Sequence, residues 1–212
     1  MSHPRLGVAK RTDVKGVARV LVVALVATAL SGVGWTADNP RFTRDAVKVD
    51  IPAVTLVDQD GDRVDFRALT LSDKPVFVDF IFATCTTICP VLSAGYTSIQ
   101  RKLGDGLLDR VTLVSITIDP ENDGPEELTA YLERYRAKPG WEFLTGTRAD
   151  IDKVMQSFDA YIPDKMSHKP LLFIRTPSDG SWVRLYGFAS SADLMAELER
   201  ASGGQVRAGV KP

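Results

Sequence analysis

The run VFVDFIF at residues 76–82 follows the turn residue Pro75 and is built largely of β-branched and aromatic side chains. Such a strand has no polar face to offer water, so it must be covered on both sides. VTLVSITID (111–119) and LLFIR (171–175) repeat the pattern, and WEFLTG (141–146) is a shorter version. Between them lie helical patterns. After Pro90, the residues Leu92, Tyr96, Ile99 and Leu103 fall at three- and four-residue spacings and stop near Gly104. Asp123, Gly124 and Pro125 stand ahead of two glutamates, a well-formed helix start, and ADIDKVMQSFDAY reads as a further helix.

LLFIR leads through the turn residues TPSDG into WVRLYGF, a predicted hairpin, and SSADLMAELERA reads as a capped closing helix. Upstream, AVTLVDQDGDRVDF predicts two short strands about the Asp60–Gly61 turn. Strands alternating with helices, ending in a hairpin and helix, predict an α/β domain. Its expected form is a central mixed sheet flanked by helices, in a thioredoxin-like arrangement with an N-terminal β-hairpin addition.

Before that domain, Arg5, Lys10, Arg11, Lys15 and Arg19 stand against a single Asp13, and residues 20–37 carry no charge. Eighteen such residues, if helical, span ~27 Å, near the ~30 Å of a bilayer core. A cleaved signal and a retained single-span anchor both fit. Bulky Trp35, where a cleavage site wants a small residue, favours the anchor. The basic flank precedes the span, which places the globular part outside the cytoplasm, in the periplasm. The expected divisions are a signal or anchor at 1–37, a linker at 38–50, the domain at 51–201 and a flexible tail at 202–212. Without residues 1–37 the chain has 21 bases against 26 acids, a balance that argues against nucleic acid as a partner.

Cys85 and Cys89, in TCTTICPVLS, are the only cysteines of the 212 residues. They fall at the junction between strand 76–82 and the helix after Pro90, the edge at which open α/β sheets build sites. A thiolate there is stabilised by free amide N–H groups and the helix dipole, and both cysteines qualify. Three readings follow from the residues: a structural crosslink, a redox pair, or two ligands for a soft metal ion. A single bridge across so short a loop would stabilise little, which favours the chemical roles. His168, just ahead of strand 171–175, is a solvated loop residue unless that strand runs antiparallel to 76–82, in which case it faces the cysteines.

The segments FIFATCTTICPVLS and VSITIDPENDGPEELTAYL, with a single histidine before the next strand, resemble the Sco/SenC family of thioredoxin-like copper proteins over roughly residues 50–200. The resemblance implies that Cys85, Cys89 and His168 bind copper as Cu(I), Cu(II) or both. It also implies delivery to the binuclear copper site of cytochrome c oxidase. Two thiolates and an imidazole suit Cu(I), which soft sulfur ligands select. Thr86–Thr87 stand where the family commonly has Pro-Asp, and Lys169–Pro170 depart from its pattern after the histidine. Asp119 and Asp123 match the family's acidic segment and are candidates for orienting the site, Asp119 equally as a turn former. Met166 is a candidate thioether, although methionine more often fills gaps or lies on a surface.

Two functions therefore stand side by side. One is a membrane-tethered copper chaperone. The other is an enzyme, an extracytoplasmic thiol-disulfide oxidoreductase or redox sensor using Cys85 and Cys89 on partner cysteines, which has no need of the histidine.

Overall fold

A computed structural model describes residues 41–204. The predicted span at 20–37 and the tail from 205 onward lie outside the described residues, among which no helix is long and apolar enough to cross a membrane. Strand β1 (Phe42–Val47) comes first, then the β2 (Thr55–Val57) and β3 (Arg63–Asp65) hairpin. A short helix α1 (Phe66–Thr70) follows, its start capped by the Asp65 carboxylate. Next are β4 (Val76–Ile81), α2 (Cys89–Leu103), a single-turn α3 (Leu107–Arg110), β5 (Thr112–Thr117) and α4 (Pro125–Arg134). The chain continues through β6 (Trp141–Leu144), α5 (Arg148–Ser157), β7 (Leu171–Arg175), β8 (Trp182–Gly187) and α6 (Ser191–Ala201).

Six strands form one sheet in the order β1-β8-β7-β4-β5-β6. β4, β5 and β6 are parallel and joined by crossover helices α2 and α4, which lie side by side through the Ser93–Tyr131 hydroxyl pair at 2.7 Å. β7 and β8 turn back antiparallel to β4 and to each other. Every residue of β4, β5 and β7 is buried, as their largely apolar runs require, including the polar Asp79, Ser115 and Arg175. On the face opposite α2, Phe158 at the end of α5 meets Phe66, Phe80, Phe173 and Trp182 edge-on at 4.9–6.5 Å. Truncating so enclosed a ring costs about 3–5 kcal/mol.

The predicted linker at 38–50 needs correction. Residues 42–47 are not a spacer but the sheet's edge strand, antiparallel to β8 from Phe42 opposite Gly187 to Val47 opposite Trp182. Its four central residues are exposed, so it lacks the alternation that marks a half-buried strand. Long-range contacts hold it instead: Arg44 pairs with the buried Glu197 of α6 at 3.0 Å, and Arg184 lies 3.7 Å from Asp45. The chain also passes so close to Gly187 (φ +121°) that a Cβ there would sit 2.4 Å from the Arg41 carbonyl oxygen.

Candidate metal centre

β4 delivers the chain to the carboxyl edge of the sheet, where the Cys85 N–H donates back to the Phe82 carbonyl at 3.1 Å. The chain re-enters regular structure at Cys89, with Pro90 directly behind it in the first helical turn, where a missing N–H costs nothing. The N-cap of α2 is Ile88, which has no side-chain acceptor for the free amides of the first turn. Cys85 takes that role: the Cys89 N–H donates to Cys85 Sγ at 3.5 Å. The three-residue spacing thus folds one sulfur back over the helix start that carries the other.

Both cysteines are free thiols and both are enclosed, Cys85 at 6% exposure and Cys89 at 0%. Their acidities diverge. Burial pushes the Cys85 thiol up, but hydrogen bonds from the Cys89 side chain, the Cys89 and Thr87 backbone and the Thr87 hydroxyl outweigh it, leaving Cys85 below an ordinary thiol. Burial drives Cys89 far above that value, with the neighbouring Cys85 adding to the effect. The expectation that both thiols are activated by the helix start therefore holds for Cys85 alone. Removing Cys89 from water outweighs its favourable position.

The antiparallel pairing of β7 with β4 sets Asp79 opposite Leu172, so the segment before Leu171 returns beside the cysteine loop. It carries His168 there, with Nε2 3.2 Å from Cys89 Sγ. Nδ1 lies 2.9 Å from the Lys165 carbonyl, which only accepts, so Nδ1 holds the proton and Nε2 presents a lone pair. Burial lowers the His168 pKa, against the hydrogen bond to Lys165, which favours the charged form. A neutral ring accepting from a Cys89 thiol is the consistent protonation state. The donor atoms of Cys85, Cys89 and His168 all lie within 4.8 Å of one another, and they are the one such cluster of His, Cys, Asp or Glu donors among the described residues.

Asp119 and Asp123 lie in the connection between β5 and α4. Asp123, 1% exposed, accepts at Oδ2 from the Ala83 N–H (2.9 Å) and the Thr117 hydroxyl (2.5 Å), while burial raises its carboxyl. Asp119 forms the turn expected of it and also meets the loop that carries His168. Its carbonyl accepts the Asn122 and Asp123 N–H groups of the turn, and its carboxylate is ion-paired with Lys165. Met166 is 71% exposed, as a surface methionine would be.

Two residues of the surroundings went unread in the sequence. Lys165 lies 5.3 Å from the centre of the Phe82 ring, whose neighbour at 5.2 Å is the His168 imidazole. Asp79, fully buried in β4, has no hydrogen-bond partner at either oxygen. Its burial raises the carboxyl to about 7; the Ser115 hydroxyl, on the residue paired with it in β5, opposes the shift without reaching normal hydrogen-bond geometry. A lone acid in an apolar strand was visible as a signal for Asp79. Nothing in the spacing marks Lys165.

A thioredoxin-like α/β domain with a Cys-Cys-His donor group at the carboxyl edge of its sheet is the class defined by fold and site. The SCO1/SenC family profile matches residues 48–201, and the chain belongs to that family. The SCO1 protein homolog of Bacillus subtilis is 29% identical over 170 residues, 75% of this chain and 86% of that protein. A solved structure of BsSco, described as a member of the Sco family of cytochrome c oxidase assembly proteins and carrying a disulfide switch, superposes with a TM-score of 0.62. It is 28% identical and covers 76% of this chain and 98% of its own. Bradyrhizobium japonicum ScoI with copper bound gives 0.59 at 27% identity, over 73% of this chain and 99% of its own.

Proposed function

We propose that this chain is a copper chaperone that holds copper on Cys85, Cys89 and His168 and delivers it to the binuclear copper site of cytochrome c oxidase. The convergence of two sulfurs and one lone-pair nitrogen within 4.8 Å carries the reading. It is a soft, three-donor set suited to Cu(I). The copper-bound relative and the assembly role of BsSco support it. Residues 20–37 tether the domain to the membrane with the site on the extracytoplasmic side, where a copper donor to an oxidase has to act. The full chain in detergent, loaded with Cu(I) and mixed with the copper-free copper-site subunit, should transfer its copper to that subunit, as copper analysis of the separated proteins reads, and mild chemical oxidation of the metallated subunit should then bring up the visible absorption of the binuclear centre. Copper that stays on the chain rejects the delivery.

The divergent thiols favour a second reading, a disulfide exchange that prepares the partner's cysteines. A Cys85 thiolate attacks a partner disulfide, breaking its S–S bond and forming a mixed disulfide. Cys89 passes its proton to His168 Nε2 and displaces the partner thiolate, which leaves a Cys85–Cys89 disulfide and a reduced partner. Trapping a mixed disulfide through Cys85 in the Cys89→Ser chain supports this route; trapping through Cys89 in the Cys85→Ser chain contradicts it.

A further inference from the structure

His168 belongs to a stretch from 158 to 170 that contains neither strand nor α-helix, only a single 3-10 turn at Lys165–Ser167. Its side chain is therefore only as well placed as that loop. The turn is started by Asp164, whose Oδ1 accepts the Met166 N–H at 2.9 Å, and His168 closes it by donating its own N–H to the Lys165 carbonyl at 3.3 Å. The same carbonyl takes the Nδ1 proton. Further along the same residue, the Lys165 ammonium is paired with Asp119 and lies over Phe82.

The anchor point matters because it is shared. The Asp119 N–H donates to Thr117 Oγ1 at 2.9 Å, the Thr117 hydroxyl donates to Asp123, and Asp123 accepts the Ala83 N–H two residues before Cys85. A chain of contacts thus runs from the cysteine loop through residues 117–123 to Lys165, and back through His168 to Cys89. Lys165 is the one member that touches both the acidic segment and the imidazole.

We propose that Lys165, held by Asp119, is the positioning residue that fixes the tautomer and reach of His168. The proposal rests on the reading of His168 as a copper ligand. It assigns to this chain a device that the resemblance did not indicate, since the resemblance gives His168 as the ligand in this loop and no role to Lys165. Hydrogen bonding at one ring nitrogen decides which nitrogen is free to ligate; here the partner is the Lys165 main-chain carbonyl, which the side chain holds in place through Asp119, and loss of such outer partners commonly lowers metal affinity ~10–100-fold. The Lys165 side chain is 36% exposed but that of Asp119 only 8%, so removing the lysine alone leaves a buried carboxylate without its cation, and the fold has to be controlled for separately from the effect at the histidine.

The test uses the full chain in detergent, reduced and metal-free, with 15N-labelled histidine. The sequence has two histidines, and His168→Gln identifies the signal of interest. Wild type and Lys165→Arg should show His168 protonated at Nδ1, and Lys165→Met should show a mixture or a shift to Nε2. The double variant Asp119→Asn/Lys165→Met, which leaves no orphaned carboxylate, should behave as Lys165→Met does and guards against loss of fold. Cu(I) competition on the same proteins should find Lys165→Met about 10-fold weaker than wild type and Lys165→Arg close to it. An unchanged Nδ1–H tautomer in a folded Lys165→Met, or unchanged copper affinity, overturns the positioning role while leaving the copper site intact. If wild type itself takes up no Cu(I), the copper reading falls, and the tautomer measurement alone decides the role of Lys165.

Discussion

The two sides of the donor cluster are built by different means. The cysteine side is local: a buried strand, a tight turn and a helix start place both sulfurs within five residues, with Cys85 Sγ standing in for the missing N-cap. The histidine side is assembled from a distance, because His168 reaches Cys89 across 79 positions of sequence from a loop secured by an ion pair and a backbone carbonyl. Backbone geometry makes the first side hard to perturb without unfolding it. The second depends on a few polar contacts that single substitutions can remove, and the pair can therefore be separated by experiment.

Removing a sulfur should have the largest effect on binding. Cys85→Ser and Cys89→Ser should each lose measurable Cu(I) affinity in a competition titration, because a hydroxyl is a poor ligand for a soft ion and only two thiolates exist. Retention of tight binding in either variant would break the account of the cysteine side.

That side also carries a cost, set by Asp79 beneath it. Its carboxyl, raised to about 7 in the folded state, binds a proton more tightly there than in the unfolded chain. Stability is thus fully present below the unfolded value of 3.8 and is lost as pH rises through about 7, by up to about 4 kcal/mol in all. Asp79→Asn should be more stable relative to wild type at pH 8 than at pH 5 in urea unfolding of the reduced, metal-free chain. An equal difference at both pH values would show that Asp79 does not titrate there.

On the other side, His168→Ala should weaken Cu(I) binding at least ~10–100-fold yet leave attack by Cys85 largely intact, since hydrogen bonds from Cys89 and Thr87 activate that thiol. Wild-type copper affinity should fall as the histidine takes up a proton, and burial places that fall below the ordinary value of 6.5. His168→Ala should lack that dependence. The smallest effect is expected at Met166: Met166→Leu should leave Cu(I) affinity unchanged, and a clear loss would add a thioether to the histidine side.

The same division explains what could be read from the sequence. The parallel core and the terminal hairpin were legible because VFVDFIF, VTLVSITID and LLFIR are buried on both faces and the helices show clear periodicity, with side-chain caps at Thr147 and Ser190. β1 was not, because an edge strand of exposed residues is held by Arg44 and Asp45 meeting distant partners. Cys85 and Cys89 were legible as a pair from their junction, but not their opposite acidities, which depend on how deeply each sulfur is enclosed. His168 became legible once β7 was taken as antiparallel to β4. Lys165 has no local pattern, since its meaning arises only where the loop meets Asp119 and Phe82.

The claim that joins the two sides is that sulfur and imidazole bind one metal ion. Copper-edge X-ray absorption of the Cu(I)-loaded full chain tests it directly, with His168→Ala alongside. The account predicts two sulfur neighbours and one imidazole nitrogen in the wild type, and the loss of only the imidazole scattering in the variant. A spectrum fitted by sulfur alone in the wild type, or identical spectra for the two proteins, would contradict it.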